Sequence, residues 1–166
     1  MKVYTFNDKV LVNSANDKWL KKAAPPPFEV TIGNQTWKTV YLNIDDGQGG
    51  IDYNSDTGLY YYTPAAASRV AATINGWHLP SKDEVDTLIG YVGRSNMAKL
   101  ISVDDEGTDD YGLGLRLAGM KYGPYSYVGT YGYLITTTYG YLFNSSYAQW
   151  YSSSVRQGNV RLIKDS

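Results

Sequence analysis

A chain of 166 residues, 43% hydrophobic and 19% charged, is long and apolar enough to bury one packed core, which argues against a disordered chain. The net charge of −1, with no Lys/Arg cluster longer than Lys21-Lys22, leaves no basic stripe for nucleic acid. The absence of Cys excludes disulfides, thiolate nucleophiles and Cys-ligated metals, and no apolar run approaches the ~18 residues of a membrane span.

Met1 is followed by polar residues, so no secretory signal is expected. KVYTF and KVLVN alternate as strands around the turn Asn7-Asp8, with a second turn at Asn16-Asp17. Pro25-Pro26-Pro27 form a stiff extended joint. Residues 1–24 therefore read as lead-in strands or a connector, and 25–166 as the main domain; the alternative makes 1–24 a strand of that domain. FEVTI and WKTVYLNI predict a hairpin around Gly33-Asn34, and 45–58 predict a loop. Pro64 and the Ala run after it predict a helix. Ser81 with Glu84 forms a capping box, Val85, Leu88, Ile89 and Val92 make one apolar stripe, and Gly93 ends the helix. The remaining third has no helical pattern. Two helices followed by short antiparallel strands and long loops give an α+β class.

Few groups suit catalysis. His78 is the sole His and reads as structural, so neither a two-His metal site nor a Ser-His-Asp triad is supported. Gly47-Gln48-Gly49-Gly50 and Gly112-Leu113-Gly114 are weak phosphate loops, because neither leads from a clear strand into a helix. Asp45-Asp46 and the cluster Asp104, Asp105, Glu106, Asp109 and Asp110 lack the spacing of a calcium loop and read as solvated turns. No cofactor and no metal is expected, and no enzyme. Asn144-Ser145-Ser146 matches a glycosylation acceptor.

Tyrosine is the anomaly. The chain has 17, and nine lie between Tyr122 and Tyr151, in an uncharged segment rich in Ser, Thr, Gly and Asn. Tyr125/Tyr127, Tyr131/Tyr133 and Tyr139/Tyr141/Phe143 recur at period two, which sets each group on one strand face. Either those rings are core, or they face water and bind. With Val128, Leu134 and Leu142 supplying the core face, the rings point outward, a mixture of residues that antibody loops use for contact. The expected contact residues are Tyr125, Tyr127, Tyr131, Tyr133, Tyr139, Tyr141, Phe143, Asn144, Ser145 and Tyr147, with Tyr151, Ser152 and Ser154 at the margin. Trp77, His78, Leu79, Trp150 and the strand Val160 to Ile163 are expected to be scaffold.

VTIGNQTW (30–37), NGWHLPSKDEVDTL (75–88), GTDDYGLGLRLAG (107–119), YVGTYGYLITTT (127–138) and NVRLIKD (159–165) occur in that order. Together, over roughly 28–166, they resemble the Fibrobacter succinogenes major paralogous domain, a branch of the C-type lectin fold grouped with formylglycine-generating enzymes and the variable proteins of diversity-generating retroelements. Val85 stands where that family usually has Trp, Leu134-Ile135-Thr136-Thr137-Thr138 where it has WWSST, and Leu162 where it has Cys. The cysteines of the formylglycine-generating relatives and the calcium motifs of animal lectins are absent, so neither activity carries over. The Tyr-rich segment, ending before NVRLIKD, is most similar to a retroelement variable region. The resemblance implies a rigid C-type lectin-like scaffold that recognises a protein or glycan on another cell, from a phage tail tip or a bacterial surface. Phage relatives imply a trimer, although the chain has no heptad repeat. The alternatives are a structural fimbria or fibre subunit and, at the margin, an enzyme descended from the formylglycine-generating side.

Overall fold

The computed structural model describes residues 3–6, 9–12, 28–152 and 156–165. Strands β1 (Val3–Phe6) and β2 (Lys9–Val12) pair antiparallel, with Phe6 opposite Lys9. The Asn7-Asp8 and Asn16-Asp17 turns, the Pro25–Pro27 joint, the boundary at residue 24 and Ser154 lie outside the described residues.

Strands β3 (Glu29–Ile32) and β4 (Gln35–Lys38) form the expected hairpin, closed by Gly33 at φ +63°. The second strand stops at Lys38, well short of Ile44. From there the chain follows the C-terminal segment: Lys38 N donates to Leu162 O at 2.9 Å and Leu42 N to Val160 O at 3.0 Å. The segment expected to be a loop contains β5 (Ile51–Asn54), paired with β6 (Leu59–Tyr62). Asn54 organises the turn between them, accepting from Asp56 N on its side chain and from Gly58 N on its carbonyl.

Helix α1 (Pro64–Ala71) is N-capped by Thr63, whose hydroxyl accepts from Ala66 N. After β7 (Trp77–His78), helix α2 (Lys82–Val92) carries the predicted capping box, buries Val85, Leu88, Ile89 and Val92, and stops at Gly93 with φ 92°. Two short 3₁₀ helices, Arg94–Lys99 and Val103–Asp105, precede β8 (Met120–Lys121), β9 (Tyr125–Ser126), β10 (Gly132–Ile135), β11 (Gly140–Asn144), β12 (Tyr147–Tyr151) and β13 (Ile163–Lys164). The fold is α+β, built from small antiparallel sheets. The largest runs β3-β4-β13-β7, so the last strand returns beside the β3–β4 hairpin. A second sheet runs β10-β11-β12.

That second sheet overturns the expected orientation of three rings. Tyr133, Tyr141 and Phe143 are 1%, 1% and 2% exposed. Alternation is present, but both faces of the sheet are covered. Leu134, Tyr141, Phe143 and Ala148 pack with α2, Trp37 and Ile163. Tyr133 and Ile135, with Leu142 and Tyr151 beside them, pack with α1, Leu79 and Val160. Period two says which residues share a face, not whether that face meets water. Glycines make room for the rings: a Cβ on Gly140 would sit 2.8 Å from Tyr133 Cζ, and one on Gly158 would sit 2.6 Å from Tyr133 Cδ1. Val128, expected in the core, is half exposed. Of the strand expected over 160–163 only Ile163 is in one, β13; the rest of the segment is held by bridges and single hydrogen bonds. Residues 157–163 are all buried, and Gln157, Gly158 and Asn159 bridge to Lys121, Tyr62 and Leu134 respectively.

Candidate ligand-binding face

Of the five exposed tyrosines among the described residues, Tyr53 and Tyr122 flank the junction of two hairpins, whereas Tyr91 on α2 and Tyr147 at the β11–β12 turn lie elsewhere. In β5–β6, Tyr53 stands opposite Tyr60 with ring centroids 5.0 Å apart. The next position inward, Tyr61, is fully buried and donates to Ala118 O at 2.5 Å. Its ring receives the edge of Tyr125 from the β8–β9 hairpin at 4.9 Å, and Tyr125 OH donates to Tyr53 O at 3.2 Å. An ionic clasp reinforces the junction: Asp52 Oδ2 lies 3.0 Å from Lys121 Nζ and accepts from Gln157 Nε2 at 2.8 Å. Partial burial pushes the Asp52 carboxyl up, and these two donors more than offset it, so the net shift is downward.

Arg156 completes this side. Its guanidinium carbon is 4.3 Å from the Tyr151 centroid and 5.6 Å from that of Tyr122, and Nη2 donates to Tyr151 OH at 2.9 Å. Tyr122, at the tip of the β8–β9 hairpin, is 59% exposed and Tyr53 is 55% exposed. Tyr60, Tyr125 and Tyr151 are half-buried beneath them. The rings thus project from a base in which the hydroxyls of Tyr61, Tyr125 and Tyr151 are engaged. The following turn carries Tyr127, exposed and at φ 63°, packed edge-on against Tyr131 at 5.8 Å.

The remaining nominated residues lie at the two ends of the β10-β11-β12 sheet. Tyr139 sits at one end with Trp150, 5.8 Å between centroids, and Ser152 is exposed just past β12. Asn144, Ser145 and Tyr147 form the β11–β12 turn at the other end, about 14 Å away along β11. There Asn144 Oδ1 accepts from Ser146 N at 3.1 Å, and Ser145 O accepts from Ala98 N at 2.8 Å. Tyr53, Tyr60, Tyr122 and Arg156 were not singled out from the sequence. The hairpin LYYY opposite IDYN carried the signal for the first two, hidden by reading 45–58 as loop.

The groups suited to other chemistry are already engaged. His78 Nδ1 faces Asp165 Oδ1 at 2.7 Å and Nε2 faces Glu84 Oε1 at 2.8 Å, which ties β7 to α2 and the C-terminus as scaffold. Asp46 holds Arg69 through two contacts of 2.6 and 3.0 Å, and this pairing takes its carboxyl down to about 2. Asp105 Oδ2 accepts from Arg116 Nε at 2.6 Å and from Leu117 N at 2.9 Å. Among the described residues, no three His, Asp or Glu side chains converge as a metal would require, and no helix is long and apolar enough to cross a membrane. No family model, curated protein or solved structure matches the chain.

Proposed function

We propose that this chain is a non-enzymatic recognition domain with a C-type lectin-like fold, carried at a phage tail tip or on a bacterial surface, that grips a protein or glycan of another cell. The observation that carries the reading is the set of exposed rings Tyr53 and Tyr122, backed by Tyr60, Tyr125, Tyr151 and Arg156, with Tyr127 exposed on the following turn against Tyr131. Large rings with little rotamer freedom give contact area at low entropic cost, and a soluble surface seldom exposes them in a group without a partner. The fold reading draws support from the terminal strand closing beside the β3–β4 hairpin, with the Tyr-rich segment on the β8-β9 and β10-β11-β12 sheets.

The reading extends to diversification. Codons that vary by adenine replacement should fall on side chains that reach water, and the core codons should be fixed. Sequencing the surrounding DNA tests this. We expect a reverse transcriptase gene and a near-copy of the codons for 120–160, differing at adenines in codons for residues such as Tyr125, Tyr127, Tyr131, Tyr139, Ser145, Tyr147 and Ser152. Tyr133, Tyr141 and Phe143 should match between the copies. Differences concentrated on those three core positions would defeat the reading.

A further inference from the structure

A second feature lies outside the Tyr face. Between the 39–43 segment, the start of β6 and the strip Gly114–Arg116 there is a cavity of about 320 Å³, the size of a small-metabolite site. Arg161 lines it while being only 3% exposed. Its guanidinium carbon lies 3.8 Å from the Tyr41 ring centroid and Nη2 donates to Gly114 O at 2.7 Å, yet Nε and Nη1 have no hydrogen-bond partner. A buried donor left unpaired costs about 1–3 kcal/mol, more when charged. Asp109, the acid acting on Arg161 through space, spends Oδ1 on Gly114 N at 2.8 Å. Arg116 lines the same cavity; its Nε is taken by Asp105, and it holds its backbone against Tyr41, whose hydroxyl accepts from Arg116 N at 2.7 Å.

We propose that this cavity binds a small hydroxylated carboxylate of the hexuronic acid class, with the carboxylate toward Arg161 and Arg116 and the ring against Leu59 and Val40. Arginine matches the flat geometry of a carboxylate. Asp105 and Asp109 offset part of the positive charge, which favours a monoanion over a phosphate dianion. Leu59 and Val40 supply apolar lining, and the Asn43 amide stands at the edge for hydroxyls. This site stands apart from the Tyr face: a chain that grips nothing through Tyr53 and Tyr122 still binds here.

Calorimetric titration of the whole chain with sodium glucuronate at fixed ionic strength tests it. Saturable binding is expected, with glucose at least about tenfold weaker. Arg116→Gln, which removes the partly exposed guanidinium, and Val40→Trp, which plugs the cavity from its exposed rim, should each weaken glucuronate about tenfold without unfolding the chain. Arg161→Met should abolish binding; if that variant does not fold, the two rim variants decide alone. The proposal is overturned by absent saturation, by glucose binding equally well, by inorganic phosphate displacing glucuronate at lower concentration, or by indifference to both rim substitutions.

Discussion

Tyr141 donates to Asp86 Oδ1 at 2.6 Å while its ring lies 5.2 Å from that of Trp150. Burial raises its phenol well above the ordinary value, and the Asp86 carboxylate raises it further. Tyr133 is pushed up to about 12, chiefly by burial, with the nearby Arg156 charge pulling the other way. Neither ring is available to a partner. Replacing Tyr133 or Tyr141 by Ala is expected to cost about 3–5 kcal/mol in chemical denaturation, because each leaves a ring-sized hole in a covered sheet. Tyr122→Ala and Tyr127→Ala should stay within about 0.5 kcal/mol of wild type. Equal costs in the two pairs would mean that burial does not divide these tyrosines into scaffold and surface. The sequence supplied their number and period. It could not show that a second layer covers the other face, because α1, which helps form it, lies far earlier in the chain.

At the scale of elements, the capping box of α2 was legible because its chemistry is local: Ser81 hydroxyl accepts from Glu84 N at 3.2 Å, and Glu84 Oε2 accepts from Ser81 N at 2.8 Å. Ser81→Ala should lower stability by about 1 kcal/mol, read from the denaturation midpoint. The wider role of Glu84 was not legible, since His78 reaches it only after β7 docks beside β13. Partial burial pulls His78 down, but the bonds to Glu84 and Asp165 outweigh it, so its folded pKa lies above the ordinary value. A raised His contributes stability fully below its unfolded pKa of about 6.5. That contribution disappears as pH rises through the folded value. In the other direction, partial burial pushes Glu84 and Asp86 up, yet their hydrogen bonds and ion pairs bring both below the ordinary carboxylate range. Their contribution is present above that range and is lost as pH falls through the lowered values. Melting temperature should therefore decline from mildly acidic to mildly alkaline pH, and His78→Gln should flatten that limb while leaving the acid limb in place. An unchanged alkaline slope in His78→Gln would contradict the clamp. Strand β5 was missed for a related reason: Ile51–Asn54 is short and Gly-flanked, and becomes a strand only by pairing with β6.

At the scale of the whole molecule, two cores flank the β10-β11-β12 sheet, and the terminal segment 157–163 threads between elements from distant parts of the chain. Such a frame stands largely without the surface rings, because Tyr53, Tyr122 and Tyr127 are each more than half exposed and their ring contacts are with Tyr60, Arg156 and Tyr131 at the periphery. Binding by these rings is therefore separable from folding. The triple variant Tyr53→Ser/Tyr122→Ser/Tyr127→Ser should melt within a few degrees of wild type, a shift corresponding to about 1 kcal/mol or less. A central aromatic contact is worth about 2 kcal/mol or more in an interface, so three together should reduce affinity by over a hundredfold. The most direct measurement is the affinity of wild type and this variant, side by side, for the bacterial cells or arrayed glycans that the wild-type domain retains. Loss of retention by a variant that still melts like wild type is the predicted result. Undiminished affinity in the triple variant would contradict the account.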